Sequence, residues 1–297
     1  MDSGNDQSDE VASTLLSNRP LMEKYANIER IFYGLDPTAL ADFMHLVQTR
    51  IAEKLPGGTR TTVESELYDE SFYDWVRLGA QKSAAVIVPL LVKLIRPQSV
   101  VDVGCGDGTW LAAFLDAGVG RIRGFDGEWV DRSRLAIPAA SFRAVDLSAF
   151  QAGPEERYDL ALSVECAEHL SSDSAERFVR NLCGMAPVVC FSAAVPFQGG
   201  AGHVNEQWPE YWARLFKRFG YDAVDWLRPK IWSNPEVESW YAQNLMLYAD
   251  ESAVEHYPSL LEYRDQTDPN ALSRIHPAHY LKVVMFTLPE VARQGMT

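Results

Sequence analysis

Three glycines alternate with other residues directly after a short apolar segment at 99–103. They are Gly104, Gly106 and Gly108, and a helical pattern at 110–117 follows them. Glycine adopts backbone angles that other residues resist, and it lets a ligand approach the backbone closely. The helix that follows presents unpaired N–H groups and the positive end of its dipole. The pattern therefore predicts a turn that binds a nucleoside-containing ligand.

Two acidic residues follow later strand-like segments. Asp126 directly follows the segment at 121–125. Its distance along the chain from Gly104 is close to the spacing at which an acidic residue binds the ribose hydroxyls. Asp146 ends a third segment, where a loop could accept a hydrogen bond from an adenine amino group. Each acid alone is typical of a solvated loop. Their joint placement behind the glycine turn favours a binding site.

The glycine spacing differs from that of dinucleotide-binding proteins. The nicotinamide pattern is Gly-x-Gly-x-x-Gly, and the position of its third glycine is occupied by Thr109. This departure argues against a nicotinamide-dependent oxidoreductase, which we keep as an alternative.

The elements that must position these residues alternate along the chain. Strand-like segments lie near 99–103, 121–125, 158–164, 187–192 and 245–248, with helical patterns between several of them. This alternation predicts an α/β fold with a doubly wound, mostly parallel sheet that is covered on both faces.

The segments outside this series are less regular. Residues 1–18 are polar and predict a disordered tail, and helical patterns follow at about 20–33, 37–54 and 71–95. We divide the chain into four parts, which are a tail (1–18), an N-terminal helical cap (19–96), a catalytic domain (97–250) and a C-terminal extension (251–297).

Four stretches of this sequence resemble the class I S-adenosylmethionine-dependent methyltransferases. They are VVDVGCGDGTW, GFD at 124–126, VDL at 145–147 and YDLALSVECAEHL at 158–170, and the resemblance covers about residues 97–250. It implies a Rossmann-like methyltransferase fold, a seven-stranded sheet with an antiparallel last strand, for which 245–248 is the candidate. It also implies S-adenosylmethionine as the cofactor.

The resemblance assigns roles to the residues of the glycine turn and its acids. It implies that the three glycines line the methionine and ribose, that Asp126 holds the ribose hydroxyls, and that Asp146 and Leu147 meet the adenine. The predicted cofactor site also includes Asp102, Cys105, Glu165 and Tyr73.

Two histidines lie in segments that should face the transferred methyl group. A neutral hydroxyl is a poor nucleophile unless a base takes its proton or a metal lowers its pKa. His203, in a glycine-rich loop, is the first candidate for a general base, although substrate binding and loop packing remain open. His169 is the second candidate. It ranks below His203 because in this family the Glu-His pair often only organises the loop.

The same histidines also belong to a candidate metal site. Glu165, Glu168, His169 and His203 resemble the Glu-x-x-Glu-His plus distant His of ubiquinone-biosynthesis O-methyltransferases and small-RNA terminal methyltransferases. These ligands suit Mg²⁺, Mn²⁺ or Zn²⁺. The motif also occurs in relatives without a metal, so the base and the metal site both remain open.

The acceptor side is rich in aromatic residues, which would form a wall for a flat apolar, aromatic or sugar acceptor if they face the crevice. They are Phe197, Trp208, Tyr211, Trp212, Trp226, Trp232, Trp240 and Tyr241, with Tyr68, Phe72, Tyr73 and Trp75 before the sheet. We expect O-methylation of a sugar, polyketide or phenol-like natural product. The alternative is a noncatalytic protein that binds S-adenosylmethionine.

Composition bounds the partners and the compartment. The 27 basic and 41 acidic residues give a net charge of −14, which disfavours nucleic acid. The four cysteines have no paired framework, no apolar run reaches the roughly 20 residues that span a bilayer, and the N-terminus is polar. We expect a cytoplasmic protein without membrane insertion that acts on a small-molecule acceptor, and a homo-oligomer remains open.

Overall fold

The computed structural model describes residues 70–200 and 202–282, with side chains for 77–200 and 202–281. The predicted tail and the helices predicted at 20–33 and 37–54 lie outside the described residues, as does Tyr68. The side chains of Phe72, Tyr73 and Trp75 also lie outside them.

Seven strands form one sheet in the order β3-β2-β1-β4-β5-β7-β6. Their bounds are β1 Ser99–Val103, β2 Arg121–Asp126, β3 Phe142–Ala144, β4 Leu160–Val164, β5 Val188–Ser192, β6 Tyr221–Val224 and β7 Met246–Asp250. Strands β1 to β5 run parallel to one another, and β7 runs antiparallel to both β5 and β6. The predicted fold class and the predicted antiparallel last strand are confirmed.

Nine helices accompany these strands among the described residues. They are α1 Glu70–Ile95, α2 Thr109–Asp116, α3 Ser172–Met185, α4 Pro209–Arg218, α5 Arg228–Ile231, α6 Ser239–Asn244, α7 Glu251–His256, α8 Pro258–Gln266 and α9 Pro277–Lys282. Short 3₁₀ turns occur at Arg132–Arg134, Ala139–Ser141 and Ala167–His169.

The central strands are buried on both faces, as expected of a doubly wound sheet. Every residue of β1, β4 and β5 is buried. Successive residues point to opposite faces, so Val100 packs with α1 and α2, whereas Val101 packs with α3 and α4. The carboxyl ends of these strands therefore form one fixed edge from which loops can present functional groups.

Helix α1 shows the apolar spacing that predicted it. Ala84, Ile87, Val88 and Leu91 recur at helical spacing and are buried in the cluster on one face of the sheet. Its segment Arg77–Ile95 has a mean hydropathy of 1.6 and is long and apolar enough, by length and composition alone, to cross a membrane. Burial of this face is also typical of a core helix, and the absence of membrane insertion stays a prediction.

The chain divides into two compact units, and the sheet lies in the unit Arg77–His276. The other comprises Met1–Val76 and Pro277–Thr297. The unit with the sheet thus includes most of α1 and residues 251–276, beyond the predicted domain bounds of 97–250, which stay a prediction.

Candidate functional site

The loop after β1 adopts the conformation that only glycine takes readily. Gly104, Gly106 and Gly108 have φ angles of 88°, 55° and 83°, in the left-handed region. The Gly104 N–H donates to the Phe125 carbonyl over 2.7 Å, which joins the loop to the end of β2.

The three glycines have different surroundings. A Cβ at Gly104 would clash with the Cys166 thiol, and one at Gly108 would lie 2.7 Å from Ile137. A Cβ at Gly106 would meet no described atom within 4 Å. Gly106 is therefore the glycine that faces open space, whereas Gly104 and Gly108 are needed for packing within the protein.

Asp126 lies beside this open space. Its Oδ2 accepts the Gly106 N–H over 2.7 Å, and its Oδ1 accepts the Gly127 N–H over 2.6 Å. Burial raises the pKa of Asp126, while these two hydrogen bonds oppose the shift. The spacing in the sequence thus correctly brings Asp126 to the glycine turn.

Trp129 lies next to the same acid and was not predicted. Its ring is packed so closely against Gly127 that a Cβ at that glycine would clash with it, yet 77% of the residue is exposed. The sequence signal that could have indicated Trp129 is its position three residues after the predicted ribose-binding acid. The structure adds that its large apolar ring is exposed, which is uncommon for a tryptophan.

The predicted adenine residues lie in a turn after β3. The exposed Asp146 carboxylate accepts hydrogen bonds from the Ser148 N–H over 2.9 Å and from its hydroxyl over 2.6 Å. These bonds lower the pKa of Asp146. Leu147 is buried in the core. Asp146 therefore stabilises its own turn, and its contact with adenine stays a prediction.

Asp102 and Cys105 lie beneath the glycine turn. Burial, and then the charge of Asp126, raise the pKa of Asp102 to about 7, and its Oδ1 has no hydrogen-bond partner among the described residues. Burial also raises the pKa of the Cys105 thiol, which packs beneath Gly124. Cys105 is therefore an unreactive packing residue, and its predicted contact with the cofactor stays a prediction.

Glu165 is held by two amide side chains at the end of β4. Gln198 and Asn244 donate to its carboxylate over 2.6 Å and 3.2 Å, and its own φ is 50°. Burial raises its pKa, whereas hydrogen bonds from Ser192, Asn244 and Gln198 oppose the shift. The two amides were missed, because they follow β5 and precede β7 and no sequence motif connects them to Glu165.

The other three residues of the predicted metal site come together. The ligand atoms of Glu168, His169 and His203 all lie within 4.8 Å of one another, and Glu165 is outside this group. The two imidazole rings meet edge to face, with centroids 4.8 Å apart. Burial, and then His203, lower the pKa of His169.

Glu168 is the centre of this group. It is fully buried, and neither carboxylate oxygen has a side-chain hydrogen-bond partner in the described part of the chain. Burial, and then Glu165, raise its pKa well above the ordinary value. Its carbonyl oxygen accepts the N–H groups of Val204 and Asn205 over 2.9 Å and 3.0 Å, which fixes the His203 loop against the end of β4.

Glu206, which was not predicted, organises the His203 loop. Its carboxylate accepts the Phe197 N–H over 2.8 Å, the Gly199 N–H over 3.0 Å and the His203 Nδ1–H over 2.9 Å. Phe197 has a φ of 69°, a strained conformation for a bulky residue. One acid thus maintains both the strained backbone and the orientation of the imidazole.

Only part of the predicted aromatic wall faces outward. Trp212, Trp226 and Tyr241 are buried in the core. Phe197 and Trp208 are exposed, and they lie on the same loop as His203. Tyr211, Trp232 and Trp240 are half-buried, and the acceptor wall as a whole stays a prediction.

Residues 77–187 match the family model described as a methyltransferase domain. No curated protein matches the chain. The Streptomyces venezuelae DesVI structure is 16% identical, with a TM-score of 0.45, over 60% of this chain and 96% of that one. The magnesium protoporphyrin IX methyltransferase ChlM from Synechocystis PCC 6803, with bound SAH, is 14% identical, with a TM-score of 0.43, over 73% of this chain and 100% of that one.

The methyltransferase domain of a bacterial protein named CtHen1 is similar at 17% identity, with a TM-score of 0.42, over 57% of this chain and 99% of that one.

The family match covers most of α1, the glycine turn, Asp126 and the Glu168-His169 segment, and the sheet has the seven strands and the antiparallel last strand that the resemblance implies. These features define a nucleoside-binding α/β transferase. Residues 77–187 therefore form a methyltransferase domain, as the predicted class of enzyme requires. A methyltransferase domain is typical of an enzyme and argues against the oxidoreductase alternative.

Proposed function

We propose that this enzyme methylates a hydroxyl group of a small molecule, and that Glu168, His169 and His203 bind a divalent cation beside it. The observation that carries the proposal is the fully buried Glu168 carboxylate, which has no side-chain hydrogen-bond partner among the described residues and lies within 4.8 Å of two imidazoles. A buried carboxylate is costly unless it is compensated. Carboxylate oxygen and imidazole suit Mg²⁺, Mn²⁺ or Zn²⁺.

One group of residues binds the cofactor, and a second group acts on the acceptor hydroxyl. Gly106 and Asp126 offer the surface for the nucleoside of S-adenosylmethionine, which supplies an electrophilic methyl group. Glu206 receives the Nδ1–H of His203, and in the neutral ring this leaves the lone pair on the other nitrogen. A bound cation would lower the pKa of the acceptor hydroxyl.

The Glu206–His203 pair supports a second candidate mechanism without a metal. An imidazole whose Nδ1–H is held by a carboxylate 2.9 Å away is oriented as a general base. In that case His203 accepts the hydroxyl proton directly. Both candidates predict transfer to oxygen, and they differ in the role of Glu168.

The exposed surface around His203 supports an acceptor with an apolar body. Phe197, Val204 and Trp208 are exposed by 56%, 68% and 42%. A sugar-bearing, polyketide or phenol-like natural product presents a hydroxyl group on such a body. The net charge of −14 opposes a nucleic acid acceptor.

We further propose that the enzyme acts in the cytoplasm and without membrane insertion. The four cysteines, Cys105, Cys166, Cys183 and Cys190, are all free, as a reducing compartment would keep them. Self-association of the chain is compatible with this proposal.

Calorimetric titration of the full chain with Mn²⁺ tests the metal site without knowledge of the acceptor. We expect Glu168→Gln to weaken Mn²⁺ binding about a hundredfold, because the amide is a neutral and poorer ligand. Glu236→Gln, which changes an exposed glutamate outside the site, is the matched control and should bind Mn²⁺ as the wild type does. S-adenosylmethionine binding should be unchanged in both variants, which verifies that they are folded.

Failure of the wild type to bind Mn²⁺, Mg²⁺ or Zn²⁺ would overturn the metal site. If an acceptor panel of phenols, sugars and a short RNA then shows chelator-resistant transfer that His203→Ala abolishes, the general-base mechanism is the correct one. Transfer to the RNA alone would overturn the proposed small-molecule acceptor.

A further inference from the structure

A cavity of about 430 Å³ lies between α3 and the loop that precedes β4. Its wall includes Arg157, Arg177, Arg180 and Asn181, together with Gly153 and Gly184, and no residue of its lining is acidic. These residues belong to the middle and the end of α3 and to the loop before β4. Gly106, Asp126 and Glu168 follow the carboxyl ends of strands at the opposite edge of the sheet, so the cavity is separate from the methyl-transfer site.

The arginines of the cavity carry unbalanced charge. Arg157 and Arg177 are exposed and form no salt bridge in the described part of the chain, although the charge of Arg177 contributes to the lowered pKa of Asp146. Arg180 contacts Glu176 at 3.4 Å, and Glu176 is shared with Arg218 at 3.0 Å. Glu155, beside Gly153, is an acid close to the rim. The chain has a net charge of −14, so a local group of arginines around one cavity indicates a binding site for an anion.

The wall between these arginines is fixed. The Asn181 side chain donates to the Phe150 carbonyl over 2.6 Å and accepts the Ala152 N–H over 3.3 Å, which fastens the loop to α3. Of the two glycines in the lining, Gly184 leaves room for a ligand, because open space lies where a side chain would extend, whereas the Glu155 carboxylate lies against Gly153.

We propose that this cavity binds the phosphate group of a small molecule. The planar guanidinium donates paired hydrogen bonds that match a phosphate, and arginine remains charged at every physiological pH. The volume exceeds that of an inorganic phosphate, which points to a phosphate ester as the ligand. The cavity does not depend on the chemistry proposed for the methyl-transfer site.

Calorimetric titrations of the full chain at low salt, with inorganic phosphate, pyrophosphate and ribose 5-phosphate as probes and acetate as control, test this site. We expect phosphate compounds to bind and acetate not to bind. The double variant Arg157→Ala/Arg177→Ala should weaken phosphate binding at least about tenfold, because two charge-assisted contacts are lost. The double variant Arg143→Ala/Arg214→Ala makes the same charge change at exposed positions outside the lining and should leave binding unchanged.

Comparison of the probes distinguishes a phosphate ester from free inorganic phosphate as the ligand. Tighter binding of ribose 5-phosphate than of inorganic phosphate supports an ester, and equal binding supports the free ion. Arg157→Lys/Arg177→Lys should give intermediate affinity, because it retains the charge and loses the paired geometry. Absence of binding at millimolar probe, or equal weakening in both alanine double variants, would overturn the proposal. S-adenosylmethionine binding verifies that each variant is folded.

Discussion

Glu206 connects the strained Phe197 backbone to the His203 imidazole through a single carboxylate. It accepts three donors at 2.8 Å, 3.0 Å and 2.9 Å, and these hydrogen bonds lower its pKa although burial opposes the shift. Strained backbone persists only where its surroundings maintain it, and it is concentrated at functional sites. Glu206 is therefore a positioning residue, which acts on the reaction through His203.

Replacement of Glu206 should change the tautomer of His203. We expect the wild-type ring to carry its proton on Nδ1, and Glu206→Ala to shift it towards Nε2, because the carboxylate acceptor is lost. Nitrogen NMR of histidine-labelled protein measures this directly, and His203→Gln assigns the signal. Glu206→Gln should retain part of the Nδ1–H population, since its amide oxygen still accepts a hydrogen bond. An unchanged His203 signal in Glu206→Ala would contradict the positioning role.

Single residues of the site differ in how far the sequence predicts them. Gly106 and Asp126 follow from local rules, since a strand, a glycine turn and an acid after the next strand must meet at one edge of a parallel sheet. Glu206 does not follow from such rules, because its role depends on how the loop folds back on itself. Gln198 and Asn244 are joined to Glu165 only by the tertiary fold.

At the scale of elements, apolar periodicity predicts the buried strands and fails at the sheet edge. Strand β1 has the predicted bounds, and β4 and β5 lie within the predicted segments, because continuous apolar runs are typical of strands covered on both faces. Strand β6 was missed. It has only four residues, Tyr221–Val224, and its pairing with β7 alone makes it a strand.

The sequence did not predict the helices after β7 or their packing against the sheet domain. Arg228 explains how this segment is attached to that domain. Arg228 is buried and contacts both Asp225 carboxylate oxygens, at 2.9 Å and 2.8 Å. It also donates to the carbonyls of Gln243, at the end of α6, and Leu272, over 3.2 Å and 2.8 Å. One guanidinium thus ties α5, α6 and the segment after α8 together.

Removal of this guanidinium should destabilise the fold. We expect Arg228→Met to lower the free energy of unfolding by about 3–5 kcal/mol, because the buried Asp225 charge loses its main partner. Arg274 contacts the same carboxylate at 3.3 Å but is 51% exposed, so Arg274→Met should cost less than about 1 kcal/mol. Urea unfolding curves of the two variants provide the comparison. Equal losses would show that Arg228 is not the residue that ties these elements together.

At the scale of the whole molecule, buried acids make stability depend on pH. Asp102 lies at the centre of the sheet, and burial, followed by the charge of Asp126, raises its pKa from 3.8 to about 7. Between these two values the folded protein binds more protons than the unfolded chain, so stability falls as the pH rises. The net charge of −14 acts in the same direction, since self-repulsion grows as further carboxyl groups ionise.

The variant Asp102→Asn separates the two contributions. It removes the buried ionisable group and changes the net charge by only one, so general self-repulsion remains. We expect the loss of unfolding free energy between about pH 4 and pH 7 to be smaller in Asp102→Asn than in the wild type, by up to about 4 kcal/mol. Asp173→Asn, which changes an exposed acid at the start of α3, should keep the wild-type slope. Parallel slopes in wild type and Asp102→Asn would mean that Asp102 ionises at its ordinary pKa, and that the pH dependence arises from net charge and from the other buried acids, Asp126, Glu165 and Glu168.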